Sequence, residues 1–264
     1  MNDVDTGQVS PEAAELYEQF FVPALFDQWP DRLLDLAGVG VGDRVLDIAC
    51  GTGVLARAAR SRVTPTGSVT GLDINEGMLT VATRTDPGVT WVPGRAEELP
   101  IPDATFDHVF SQFGLMFFSE PRTAVAEMAR VARPGGRVCV ATWAALAESP
   151  GYTALVELLE ELFGHESAGA LAAPFSVGTP AELEAVMSAA FDRVAVHRLE
   201  GWARFPSIDA WVTTDVRAWT LAELVDDRQL DELLAAARIR LREFSDSAGR
   251  VRFEAPALVA LASP

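Results

Sequence analysis

Apolar and polar positions follow two rhythms between residues 43 and 144. Short apolar runs near 44–48, 68–73, 89–92, 107–111 and 137–143 predict buried β-strands. Stretches with apolar residues three and four apart near 53–61, 76–84 and 120–132 predict helices. Strands alternating with helices over short connections predict a parallel sheet covered on both faces. Upstream, residues 11–37 read as two helices broken near Pro23 and Pro30, with Tyr17, Phe20, Phe21, Leu25 and Phe26 at helical spacing. Downstream the rhythm is less regular. Helices are predicted over 152–162, 180–190 (with Thr179 as N-cap) and 227–244, a long alternating strand over 193–205, and a last strand over 253–261.

With 264 residues, the chain is long enough for one α/β domain with an insertion. A formal charge of −17 argues against nonspecific binding to nucleic acid, whose phosphates it would repel. No run of about eighteen apolar residues predicts a membrane span. The N-terminal residues carry neither the basic nor the apolar region of a signal peptide, so a cytoplasmic location is the expectation. Cys50 and Cys139 fall in a loop and inside a strand and read as free packing thiols rather than a disulfide. All 21 basic residues are arginines, which excludes lysine-based covalent chemistry.

The chemistry concentrates at 45–60. Val45, Leu46 and Ile48 end a strand, Asp47 interrupts their apolar run, and Gly51 and Gly53 make the tight turn that opens a helix. Two readings of this loop are open. Gly51-Thr52-Gly53-Val54-Leu55-Ala56 fits a dinucleotide loop of the form G-x-G-x-x-A, with an acid, Asp73, twenty positions beyond Gly53. Alternatively, the acid ahead of the glycines, Asp47, repels a pyrophosphate and suits a cationic amino group.

Asp47-Ile48-Ala49-Cys50-Gly51-Thr52-Gly53 resembles the first motif of the class I S-adenosylmethionine-dependent methyltransferases. Further segments follow in that family's order: 69–74 ending on an acid, 94–100, 106–111, and the Arg133-Pro134-Gly135-Gly136 turn. The resemblance spans about residues 12–145. Ser111-Gln112-Phe113-Gly114-Leu115 is similar to a turn of the ubiquinone/menaquinone-biosynthesis type. The fold so implied is α/β: a seven-stranded, mostly parallel, Rossmann-like sheet with helices on both faces, in a single domain. It would carry an N-terminal helical lid (12–37), a cofactor-binding half (38–145), and an acceptor-side half (146–264) with a helical insertion near 206–247 before the last strand.

The implied cofactor is S-adenosylmethionine. Asp47, Ala49, Gly51 and Gly53 would take its methionyl end, with Tyr17 of the lid reaching the carboxylate and Ser111 beside the methionine. Asp73 would hold the ribose, Ile74 and Met78 the adenine face, and Ala96 and Glu97 its edge. One departure stands out: Arg95 occupies a position that is usually acidic, and arginine has no acceptor for the adenine amino group.

No catalytic signature is evident. His108 and His197 lie within predicted strands and read as structural, which leaves His165, in a glycine-rich stretch, as the candidate general base. Gln112, Trp143, Tyr152, Trp211 and Trp219 are the candidate acceptor-pocket residues. The expectation is methyl transfer to oxygen of a small, largely apolar or aromatic acceptor. C-methylation of a quinone precursor, a nicotinamide-dependent oxidoreductase and a non-catalytic cofactor-binding protein are the alternatives. No metal site is expected, and a homodimer is left open.

Overall fold

A computed structural model describes residues 11–217, 221 and 223–264; Trp219 lies outside them. Strands β1 (Arg44–Ile48), β2 (Ser68–Asp73), β3 (Thr90–Pro93), β4 (Phe106–Gln112), β5 (Ala132–Trp143), β6 (Val194–Leu199) and β9 (Ala257–Ala262) form one sheet, in the order β3-β2-β1-β4-β5-β9-β6. Only β9 runs against its neighbours. The strand order reverses between β1 and β4, the place where open α/β sheets bind ligands at their carboxyl ends.

The helices are α1 (Pro11–Leu16), α2 (Pro30–Ala37), α3 (Val54–Val63), α4 (Glu76–Thr85), α5 (Pro121–Val131), α6 (Pro150–Phe163), α7 (His165–Ala172), α8 (Pro180–Met187), α9 (Ile208–Arg217) and α10 (Asp227–Arg240). Successive strand residues face opposite sides. Val109 and Val138 pack with Val125 and Met128 of α5 and Met187 of α8, whereas Phe110 and Cys139 face the core that includes Leu34 of α2 and Ala59 of α3. Both sheet faces are therefore dry, which is why the central strands read as nearly continuous apolar runs.

Three predicted elements come out differently. The N-terminal segment is not broken at Pro23. A wide, π-type helix runs through it over Tyr17–Phe26, and the Asp27 N–H reaches back five residues to the Val22 carbonyl at 2.9 Å. The wider turn accommodates a proline that lacks an N–H and would clash with the carbonyl four residues back in an α-helix.

The long strand expected over 193–205 splits at Gly201 into β6 and β7 (Trp202–Phe205). The strand expected over 253–261 splits at Pro256 into β8 (Val251–Glu254) and β9. Strands β7 and β8 pair with each other as a two-stranded arm, and Val251 of β8 also bridges to Ser245. The breaks coincide in space. The Ala255 N–H donates to the Gly201 carbonyl at 2.9 Å, and a Cβ on Gly201 would come within 2.3 Å of the fully buried Trp29 ring. Trp29, anchored by its indole N–H on the Leu25 carbonyl at 2.8 Å, thus sets where the sheet ends and the arm begins.

Candidate active site

The loop after β1 is tied to the end of β2 by backbone and carboxylate together. The Cys50 N–H donates to the Leu72 carbonyl at 3.1 Å, and the Gly51 N–H to Asp73 Oδ2 at 2.8 Å. Asp73 Oδ1 accepts from the Asn75 N–H at 2.8 Å, and Asn75 caps α4 through the Met78 N–H at 3.0 Å. Burial pushes the Asp73 carboxyl above its ordinary range, against the pull of the backbone N–H groups of Asn75, Gly51 and Ile74.

Two positions in and beside the loop show why the backbone needs particular residues. Gly53, at φ 88°, opens α3, and a Cβ there would sit 2.3 Å from the Trp91 ring of β3. Ala49 adopts φ 56°, an uncommon conformation for a residue with a side chain. Its methyl faces Gly114, where a Cβ would approach it to 2.6 Å.

Asp47 is 1% exposed. Its Oδ2 accepts from the Ala56 N–H in the first turn of α3 at 3.1 Å, while Oδ1 has no partner. Burial pushes this carboxyl up to about 8; the Ala56 N–H pulls it down and the Asp73 carboxylate raises it further. Ser111 Oγ, Gln112 Oε1 and Thr52 Oγ1 are also buried without partners, so four such atoms gather on β1, β4 and the loop.

Tyr17 covers this end of the sheet, its ring near 3.8 Å from where a Cβ on Gly51 would lie. Burial, then the Asp73 carboxylate, holds its hydroxyl proton far more tightly than usual. Next to Tyr17, Glu18 pairs with Arg57 of α3 at 2.8 Å, which fastens the wide helix to the loop.

Tyr17 stacks on Phe26 at 5.3 Å, and Phe26 adjoins a second space beyond β4 and β5. Trp143, at the end of β5, stacks on Phe113 at 3.9 Å and lines a cavity of about 40 Å³ with Phe26, Tyr152, Leu171, Phe175 and Asp215. Both tyrosines of the chain therefore stand at this end of the molecule, one over the loop and one in the cavity wall.

Other site residues proposed from sequence have the following surroundings. His165 is 93% exposed in its side chain, lies 3.4 Å from Glu160 at the surface and does not line the cavity of Trp143 and Tyr152. Glu97 is committed to the N-terminus of α5, where its Oε1 accepts from the Ser119 and Glu120 N–H groups at 2.9 and 3.3 Å, with Arg95 3.7 Å away. Met78 packs against Ala14 and Val81 beneath α1, and Ala96 is in the core shared with α5. Trp211 is fully buried against Phe205 and Phe253. Ile74 is half-buried directly after Asp73.

Asp215 was missed. Its signal was a carboxylate four residues after Trp211, on the face of α9 that also carries Val212 and Val216 and is buried.

Sheet order, strand directions and the acid-glycine loop at the switch point define a Rossmann-like methyltransferase fold. The methyltransferase domain signature matches residues 46–140. The chain is 38% identical over 190 residues to the ubiquinone/menaquinone biosynthesis C-methyltransferase of Pseudomonas aeruginosa, covering 66% of this chain and 74% of that one. It is 40% identical over 119 residues to the demethylmenaquinone methyltransferase of Bacillus licheniformis, covering 44% and 51% respectively. The chain thus spans about half the length of some of the curated relatives it matches. It belongs to the class I S-adenosylmethionine-dependent methyltransferases of the ubiquinone/menaquinone-biosynthesis type.

Solved structures extend the likeness in fold. Phosphoethanolamine N-methyltransferase 2 of Haemonchus contortus, in complex with S-adenosyl-L-methionine, superposes with a TM-score of 0.61 at 18% identity, over 97% of this chain and 57% of that one. The [4+2]-cyclase SpnF gives 0.55 at 17% identity, over 90% and 82%. The same architecture therefore carries more than one chemistry, and the reaction must be argued from the site.

Proposed function

We propose that this protein transfers a methyl group from S-adenosylmethionine to oxygen of a small, largely apolar or aromatic acceptor. The observation that carries the reading is Asp47 Oδ1, a buried carboxylate oxygen without a partner beside the glycine loop. A pyrophosphate would oppose ionisation of this carboxyl still further, whereas an ammonium group would favour its charged form and complete the oxygen's hydrogen bonding. The other partnerless atoms, on Ser111, Gln112 and Thr52, suit the polar methionyl end of such a ligand. Asp73 fits the ribose: a carboxylate offers about four acceptor positions, and backbone N–H groups leave capacity for hydroxyls.

When bound, S-adenosylmethionine supplies a methyl group already activated on a sulfonium, so the protein's work is positioning and exclusion of water. Tyr17 and the wide helix close over the loop, and Trp143 and Phe26 present an apolar wall to the acceptor. A cavity of about 40 Å³ holds a water-sized group and not a ring, so acceptor entry requires the Tyr17–Phe26 segment to shift outward.

A second reading, C-methylation of a quinone precursor, is favoured by the names of the relatives. Isothermal titration with S-adenosylmethionine, S-adenosylhomocysteine and NADH tests the cofactor; heat from NADH alone would overturn the proposal. Mass spectrometry of products from a phenol, catechol and quinol panel then distinguishes O-methyl from C-methyl.

A further inference from the structure

The C-terminal half buries an acid that the cofactor side does not use. Asp215 on α9 is 4% exposed, and its Oδ2 has no hydrogen-bond partner. Among the described residues it is the only charged side chain lining the cavity, whose other walls are Phe26, Trp143, Tyr152, Leu171, Phe175 and further apolar groups. The Tyr152 hydroxyl and the Trp211 indole N–H are hydrogen-bonding neighbours of the carboxylate, yet neither Asp215 Oδ2 nor Trp211 Nε1 completes a well-formed hydrogen bond. Oδ2 therefore stays unsatisfied at the wall of an apolar cavity that Trp143, at the carboxyl end of β5, also lines.

We propose that Asp215 binds a phenolic hydroxyl of the methyl acceptor through Oδ2 and takes its proton during transfer. The inference rests on the methyl-transfer reading above. The O–H bond breaks and its proton passes to Oδ2. The oxygen's electron pair forms the bond to the methyl carbon, and the carbon–sulfur bond breaks with its pair left on sulfur, giving a neutral thioether. The acceptor class is a hydroxylated aromatic, its ring among Phe26, Trp143 and Phe175 and its hydroxyl directed at α9.

Burial pushes the Asp215 carboxyl up to about 8, with the Trp211 and Tyr152 donors opposing. A base in this range suits proton removal near neutral pH. Charges on the neighbouring elements are engaged elsewhere: Arg238 of α10 with Asp209, Arg217 with Asp227, and Glu18 of the wide helix with Arg57. The group that titrates beside Asp215 is Tyr152, itself held well above its ordinary value by burial and by Asp215.

The test compares wild type with Asp215→Asn in three measurements. Binding of S-adenosylhomocysteine by titration calorimetry should be the same in both, because Asp215 does not face the loop. Binding of 1-naphthol, read by tryptophan fluorescence, should tighten roughly tenfold between pH 6.5 and 8.5 in wild type as the carboxylate forms, and stay flat in the variant. Single-turnover methylation of hydroxylated aromatics should fall at least about a hundredfold in the variant and lose its rise with pH. A variant that binds naphthol with the wild-type pH dependence, or methylates at the wild-type rate, overturns the proposal. So does wild type whose naphthol affinity ignores pH, a result that stands even if Asp215→Asn does not fold. Loss of S-adenosylhomocysteine binding in wild type would instead refute the methyl-transfer reading itself.

Discussion

Replacing Asp47 by asparagine separates a cation-binding loop from a merely structural one. Asp47 is buried, shares one oxygen with the Ala56 N–H and leaves the other unpaired. Its carboxyl, pushed up to about 8, carries a proton in about nine-tenths of unliganded molecules at pH 7. An ammonium group in contact favours the charged form and lowers such a value by about 1–3 units. Taking a shift to about 6, binding at pH 7 releases about 0.8 of a proton, and affinity rises on the order of 20-fold from pH 6 to pH 8.

Titration of S-adenosylmethionine and S-adenosylhomocysteine in buffers of different ionisation enthalpy reads the proton count directly. Both ligands carry the same amino group, so their own titration cancels when wild type is compared with Asp47→Asn. The variant should release about 0.8 fewer protons and bind more weakly by about 1–2 kcal/mol, the loss of one charge-assisted bond offset by the proton wild type must shed. Equal proton counts in the two proteins would refute the assignment of Asp47 to the ammonium group.

Other outcomes follow from the same loop and its surroundings. Asp73→Ala removes the acceptor for the Gly51 and Asn75 N–H groups, so it should lower unliganded stability by about 2–4 kcal/mol as well as weaken cofactor binding; urea unfolding with wild-type stability would show that the carboxylate does not hold the loop. Gly53→Ala faces both φ 88° and a 2.3 Å approach to Trp91, and should cost about 2 kcal/mol or more, read as a lower Tm; an unchanged Tm would contradict the packing. The folded-state values of Asp47, Asp73 and Asp215 are all raised, so the stability linked to them is full below about pH 4 and is lost as pH rises through their folded values, near 8 for Asp47 and Asp215. Each of these latter two should contribute a slope on the order of 1 kcal/mol per pH unit between about 5 and 8. Unfolding of the ligand-free protein at pH 5.5, 7 and 8.5 checks this, and rising stability across that range would contradict it.

Local features were legible in the chain. Alternation of apolar runs and helical spacing located β1 to β5 and the helices between them, because burial on both sheet faces leaves a periodic signature. Thr179 could be read as a cap because its partner lies three residues on: its hydroxyl accepts from the Glu182 N–H at 3.3 Å, and the Glu182 carboxylate returns a bond to the Thr179 N–H at 2.9 Å. The acid and glycines of the loop likewise form one short segment whose chemistry depends on their order.

What sequence could not decide depended on residues far away along the chain. The alternating pattern over 193–205 continues through Gly201, where Trp29 and Ala255, packed in from far along the chain, meet it at the break. The Ser119 and Glu120 N–H groups that reach the Glu97 carboxylate come from the start of α5, more than twenty residues on. His165 and Asp215 were both titratable groups in helical segments. Folding exposed the first beside Glu160 and enclosed the second against Tyr152 and Trp211. Periodicity tells which face of an element is turned inward, but a group's ionisation, partners and access to a ligand depend on what the rest of the chain packs against it.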